Sequence, residues 1–155
     1  MPRTPLTVNG IPEILALSGR DLGHSDWKEI TQELIDAYAY VSGDHQWIHT
    51  DTERAAAGPY GRTIAHGYMV LSWGIPMFGE LLRVQGIGRA LNYGVNRVRY
   101  PAPVPVGSRV RLHASVAAVQ EVARGGVQMT RAFTFELEGS QKPACVAESL
   151  THFYP

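Results

Sequence analysis

The sequence predicts an α+β domain over residues 1–155, in which one long buried helix lies against a curved antiparallel sheet. Helix-period patterning is gathered in the first half of the chain, and period-two patterning begins at about Arg89. Between them, His66 to Leu82 carries Met69, Val70, Leu71, Trp73, Ile75, Met77, Phe78, Leu81 and Leu82 with almost no polar face. A helix apolar on nearly every side is one that the rest of the fold encloses.

The first helix is expected over Thr31 to Val41, where Leu34, Tyr38 and Val41 recur at helical spacing. Thr31 supplies a cap, Glu33 suits the positive first turn, and Gly43 ends the run. A second, short helix is expected over Asp51 to Ala57, with Thr50 or Asp51 as cap and Gly58-Pro59 as the stop. The third is His66 to Leu82, which Gly74 and Pro76 can bend.

In the second half, Val110, Leu112, Ala114 and Val116 alternate with Arg109, Arg111, His113 and Ser115. Phe133, Phe135 and Leu137 alternate with Thr134 and Glu136 in the same way. Turns fall at Pro105-Val106-Gly107, Gly125-Gly126 and Gly139-Ser140, and a last strand lies near Cys145 to Phe153. This arrangement resembles the hot-dog fold. The sequence contains no internal repeat or linker that would divide it.

Fourteen basic and fourteen acidic residues cancel, so no global field favours nucleic acid. The lone Cys145 allows no internal disulfide and no Cys/His spacing marks a metal site, which points to a reducing cytoplasm. Met1-Pro2-Arg3-Thr4-Pro5 lacks the apolar core of a signal peptide, and Met69 to Leu82 is too short and too interrupted to span a bilayer. The expectation is a protein that is neither secreted nor inserted in a membrane.

Chemistry concentrates in Ser42-Gly43-Asp44-His45-Gln46-Trp47-Ile48-His49. On a regular helix Asp44 and His49 would stand about 140° apart, so they cooperate only through a turn. Gly43 and the following cap make that turn credible. An Asp and a His brought together can hold a water between them, remove one proton from it and deliver another to substrate. Taken alone the pair is weak, since an arbitrary Asp more often closes a loop. The second segment, Ile64-Ala65-His66-Gly67-Tyr68, opens the buried helix, where a backbone N–H beside Gly67 suits a carbonyl oxygen that becomes an enolate.

Ser42-Gly43-Asp44, Ile48-His49, Asp51 and Ile64-Ala65-His66-Gly67 together resemble the MaoC-like dehydratases, in the branch of nodulation protein N-like proteins and (R)-specific enoyl-CoA hydratases. The likeness runs from about Asp26 onward and includes Arg97-Val98-Arg99-Tyr100-Pro101-Ala102-Pro103-Val104. It implies reversible addition of water to a trans-2-enoyl thioester of coenzyme A, with Asp44 and His49 as the catalytic dyad and the Gly67 N–H as oxyanion donor. It implies a homodimer too, and needs neither metal nor cofactor, coenzyme A being part of the substrate. Where the family commonly has Asn-Pro this chain has Gln46-Trp47, so loop shape and acyl pocket are expected to differ.

Gln46, Trp47, Ser72 and Arg97 are the further substrate-binding candidates. Ser72 either lines the pocket or bonds back to its own helix. Arg97 and Arg99 share one face of an alternating strand and meet either coenzyme A phosphates or solvent, and Arg62 carries the same two readings. His66 is read as a structural residue fastening the helix start, and Cys145 as a small core residue. His24, His45, His113 and His152 have no motif around them. The competing functions are an acyl-CoA thioesterase, which would release thiol, and a catalytically silent acyl-CoA binding module.

Overall fold

A computed structural model describes residues 4–155, so the expectation drawn from Met1-Pro2-Arg3 lies outside the described residues. In chain order the elements are β1 (Leu6–Asn9), α1 (Gly10–Leu15), β2 (Asp21–His24), β3 (Lys28–Glu29), α2 (Gln32–Ser42), α3 (Trp47–Thr50) and α4 (Thr52–Ala56). There follow α5 (Gly67–Ser72), α6 (Gly74–Gly79), β4 (Leu82–Gln85), β5 (Arg89–Arg99), β6 (Arg109–Val122), β7 (Gly126–Leu137) and β8 (Cys145–Tyr154). The main sheet is antiparallel in the order β2-β6-β7-β8-β5, with β3 also on β6, while β1 and β4 form a separate parallel pair.

The sheet is built as the alternation requires. Val110, Leu112, Ala114 and Val116 of β6 and Val127, Met129, Phe133 and Phe135 of β7 are buried, while Arg111, His113, Thr134 and Glu136 occupy the other face. That outer face is held by ion pairs of Arg111 with Glu136 at 2.7 Å and of Arg109 with Glu138, and by the contact of His113 Nε2 with the Asp21 carboxylate at 3.0 Å. On β8 the inward residues are Cys145, Ala147, Ser149, Thr151 and Phe153, so polar side chains enter the covered face there.

Helix α2 is capped as its sequence requires. The Thr31 hydroxyl accepts from the Leu34 N–H at 3.4 Å, and Gly43 closes the helix at φ 78° with its N–H donating to the Ala39 carbonyl. Only a residue without a side chain adopts that left-handed conformation at little cost. Asp51 caps α4 by accepting from the Arg54 N–H at 3.0 Å.

The expected single helix from His66 to Leu82 is instead two, broken at Trp73, and Leu82 begins β4. Pro76 has no N–H to give the Ser72 carbonyl, so the ladder is interrupted and restarts from Trp73, whose carbonyl accepts from Met77 at 3.1 Å. Gly74 is buried against the sheet: a Cβ there would stand 2.7 Å from a Phe133 ring carbon. Loss of the ladder and close approach to the sheet therefore coincide. The early strands β1, β2 and β3 also correct the division into a helical first half and a stranded second half. No helix among the described residues is long and apolar enough to cross a membrane.

Candidate active site

The turn after Gly43 does what the spacing of Asp44 and His49 demands. Asp44 is exposed and its carboxylate accepts from the Gln46 N–H at 3.3 Å, bending the chain into α3. One turn of helix then places His49 inside, at 6% exposure. Its backbone is fixed from α2, because the Gln32 side chain donates to the His49 carbonyl at 2.8 Å while accepting from Thr63.

The segment before α5 is stitched between two neighbours. Ile64 donates to the Ile48 carbonyl at 3.0 Å and Ala65 to the Val104 carbonyl at 2.8 Å. The Ile64 carbonyl accepts from His49 Nδ1 at 2.7 Å. Since a carbonyl can only accept, Nδ1 carries the proton and the neutral ring leaves Nε2 as an acceptor. Burial pulls the His49 pKa below the ordinary value of 6.5, and the nearby His66 adds to the lowering, against the Ile64 bond and Asp44, which raise it.

His66 is buried and stacks on His49, with ring centroids 3.8 Å apart and planes at 24°. Its side chain does not cap α5. Nε2 instead donates to the Asp44 carbonyl at 2.9 Å, fastening the Asp44 loop to the helix start, and Tyr38 packs 4.9 Å away on the ring. One ligand-type atom each from Asp44, His49 and His66 lie within 4.8 Å of one another. Imidazole lone pairs lie in the ring plane, so stacked rings aim them side by side rather than at a common ion. This shape suits a water shared by Asp44 and His49.

Gly67 is the first residue of α5, where N–H groups lack intrahelical acceptors, and no acceptor for it is found among the described residues. A cavity of about 270 Å³ lies beside it, lined by His49, Tyr60, Ile64, Gly67, Val70 and Tyr100 among others. The Tyr100 ring covers Gly67 so closely that a Cβ would be 3.0 Å from it. Burial holds the Tyr100 hydroxyl pKa up at about 12.

The other candidates are placed differently. Gln46 is exposed, with its carbonyl accepting from His49 N–H at 2.9 Å. Trp47 turns toward α4, where Arg54 sits 4.4 Å from its ring centroid and Gly58 packs on its edge. The Ser72 hydroxyl donates to its own helix at Met69, 2.7 Å away. Arg97 lies at φ 53° in an irregularity between Asn96 and Arg99, so the simple alternation that would align Arg97 with Arg99 is interrupted there. The sequence reading passed over Tyr60 and Tyr100 and did not foresee the His66 bond to Asp44, although Tyr100 stands directly before Pro101-Ala102-Pro103.

An antiparallel sheet around a broken central helix is the hot-dog architecture, with an Asp and a His meeting at the helix start, and the family match and the dehydratase relatives place the chain among the hydro-lyases. The chain belongs to the MaoC-like dehydratase family, its residues 14–134 matching the MaoC like domain. It is 50% identical over 147 residues to 3-hydroxyacyl-thioester dehydratase Z of Mycobacterium tuberculosis, covering 95% of this chain and 97% of the relative. It is 38% identical to nodulation protein N of Rhizobium leguminosarum bv. viciae, covering 86% and 84%. The fold matches the (R)-hydratase from A. caviae with a TM-score of 0.67 at 23% identity, covering 89% of this chain and 96% of the other.

Proposed function

We propose that this chain is an (R)-specific enoyl-CoA hydratase, adding water reversibly to a trans-2-enoyl-CoA to give the (R)-3-hydroxyacyl-CoA. The carrying observation is the meeting of Asp44 with a His49 whose Nε2 is left as an acceptor, beside the Gly67 N–H. The water donates one hydrogen to Asp44 and one to His49 Nε2, which turns an oxygen lone pair toward C3. As the C3–O bond forms, Asp44 takes a proton and the C2–C3 electron pair moves onto the thioester oxygen, where the Gly67 N–H stabilises the enolate. The proton held by Asp44 then passes to C2 while His49 Nε2 holds the new C3 hydroxyl in place, so Asp44 returns to the carboxylate and both hydrogens of the water are accounted for. Both additions come from one pair of side chains, hence from one face of the double bond. Each proton-transfer step is between protein, water and substrate, so the chemistry requires no metal or redox cofactor.

A homodimer is part of the proposal. Among the described residues strand β5 pairs only with β8, and Leu91, Tyr93 and Val95 on it are 51%, 65% and 49% exposed. An edge strand with exposed apolar side chains is a surface that a second copy would cover.

The test follows the loss of enoyl-thioester absorbance with crotonyl-CoA and a longer trans-2-enoyl-CoA, with free thiol measured in parallel. Absorbance should fall without thiol release, and Asp44→Asn should slow it by about 10²- to 10⁴-fold, the usual worth of a positioned acid or base. Release of thiol would make the protein a thioesterase, and absence of turnover on both substrates would refute the hydratase reading.

A further inference from the structure

Strand β7 places a charge where its pattern calls for an apolar residue. Arg131 shares the inward face with Met129 and Phe133 and is 4% exposed. Among the described residues it has no carboxylate partner: Nη2 donates to the Ser149 hydroxyl at 2.6 Å, while Nε, fully buried, donates to nothing. Phe78 and Phe133 flank the guanidinium, with centroids 4.8 and 5.1 Å away. Burial alone drives its pKa down to about 10, the signature of a cation with no anion to compensate it. On the adjoining strand the Thr151 hydroxyl is likewise buried without a partner. Isolated buried charge is costly, and a site that retains it gains most when an anion arrives.

Both groups border a cavity of about 270 Å³, whose other walls include Ile75, Phe78, Asn92 and Phe153. Ile75 and Asn92 also border a second cavity of about 280 Å³ that reaches Leu71. Leu71 lies one helical turn beyond Gly67, and Ile75 and Phe78 lie further along the same broken helix. At about 1.5 Å of rise per residue, and with the break at Trp73 shortening the path, Ile75 and Phe78 stand at most about 12 and 17 Å along the helix from Gly67, within the reach of about ten to fourteen acyl carbons.

We propose that Arg131 and Thr151 form a specificity site for the distal carboxylate of a long-chain dicarboxylic acid carried as its mono-thioester. The proposal rests on the acyl-thioester reading above and names the chemical class of chain that fits it. The walls bury methylenes, and Arg131 and Thr151 bring a guanidinium and a hydroxyl, each with an unused donor, to the wall of one cavity, where a carboxylate at the chain end would be the matching acceptor. An unsubstituted alkyl end would occupy the same walls and leave the cation unpaired.

Equilibrium binding tests this independently of turnover. The non-reactive mono-CoA thioester of dodecanedioic acid and lauroyl-CoA are titrated calorimetrically into the intact protein, while crotonyl-CoA hydration is measured on the same preparation. The wild type should bind the diacid thioester at least about tenfold more tightly, as expected for a charge-assisted hydrogen bond in a buried site. Arg131→Met should abolish that preference and Thr151→Val should reduce it, thermal unfolding confirming that each variant is folded. Equal affinity for the two ligands in the wild type, or a preference that survives Arg131→Met, overturns the proposal. Crotonyl-CoA turnover without any preference sinks the carboxylate site alone. A preference without turnover supports the site and sinks the hydratase reading.

Discussion

Gly74 and Gly79 begin and end the same six-residue helix, α6, and the same substitution should have opposite effects at the two positions. An added Cβ at Gly74 would stand 2.7 and 3.0 Å from two carbons of the Phe133 ring and 3.1 Å from Phe135, so two packed rings must move. Overpacking of this kind costs about 1 to 3 kcal/mol. The better helix propensity of alanine returns up to about 1 kcal/mol. Taken at their midpoints, the two leave Gly74→Ala destabilising by about 1.5 kcal/mol net, a fall in Tm of about 3 to 6 °C for a chain of this length. At Gly79 an added Cβ meets nothing within 4 Å and the backbone is not left-handed. Gly79→Ala should raise stability by about 0.4 to 1 kcal/mol. Urea unfolding of both variants, compared at unchanged m, reads the two signs directly. A Gly74→Ala protein as stable as the wild type would refute the claim that Gly74 is needed for the close packing of α6 on Phe133 and Phe135.

The depressed His49 pKa fixes the sign of the acid response. In the proposed reaction the neutral ring is the water acceptor, so the acid limb of kcat/KM should lie below pH 6.5. Below that pH an unfolded histidine takes up a proton that the folded one refuses, so the His49 contribution to stability is present above 6.5 and is lost as pH falls toward the folded value. His66→Phe keeps a ring against His49 but removes one influence that lowers its pKa and the donor to the Asp44 carbonyl; activity should fall and the acid limb should move up, whereas a merely structural role would leave the limb in place. Gly67→Ala meets the Tyr100 ring at 3.0 Å and should cost about 1 to 3 kcal/mol, a cost that shrinks in a Tyr100→Ala background because the atoms it strikes are gone. Tyr93→Glu puts a charge on the exposed face of β5 and should give a monomer by sedimentation equilibrium; an unchanged mass would remove β5 from the dimer interface.

What could be read from the sequence was governed by how local its cause is. The inward parity of β6 and β7 follows from one face being solvated, and the ends of α2 follow from Thr31 and Gly43, which act within four residues of themselves. The break at Trp73 was legible only as a bend, because Gly74 and Pro76 permit either, and the close contact of Gly74 with the Phe133 ring joins positions 59 apart. Strands β1 and β4 are four residues each and are recognisable only from their parallel pairing with one another. In the site, the Asp44 and His49 turn was legible from spacing, but the His66 bond to Asp44 joins residues 22 apart and has no local signature. Arg131 is a different case. The parity that turns Phe133 and Phe135 inward turns Arg131 inward as well, so its burial was present in the pattern from the start.

The bond from His66 to the Asp44 carbonyl has a mechanical meaning. His66 and Gly67 are adjacent in the chain, so the residue that anchors the Asp44 loop and the N–H proposed as the oxyanion donor share one peptide unit at the start of α5. In the proposed reaction, any displacement of α5 would therefore move the loop anchor and the oxyanion donor in the same direction, which couples the placing of the water to the placing of the thioester carbonyl.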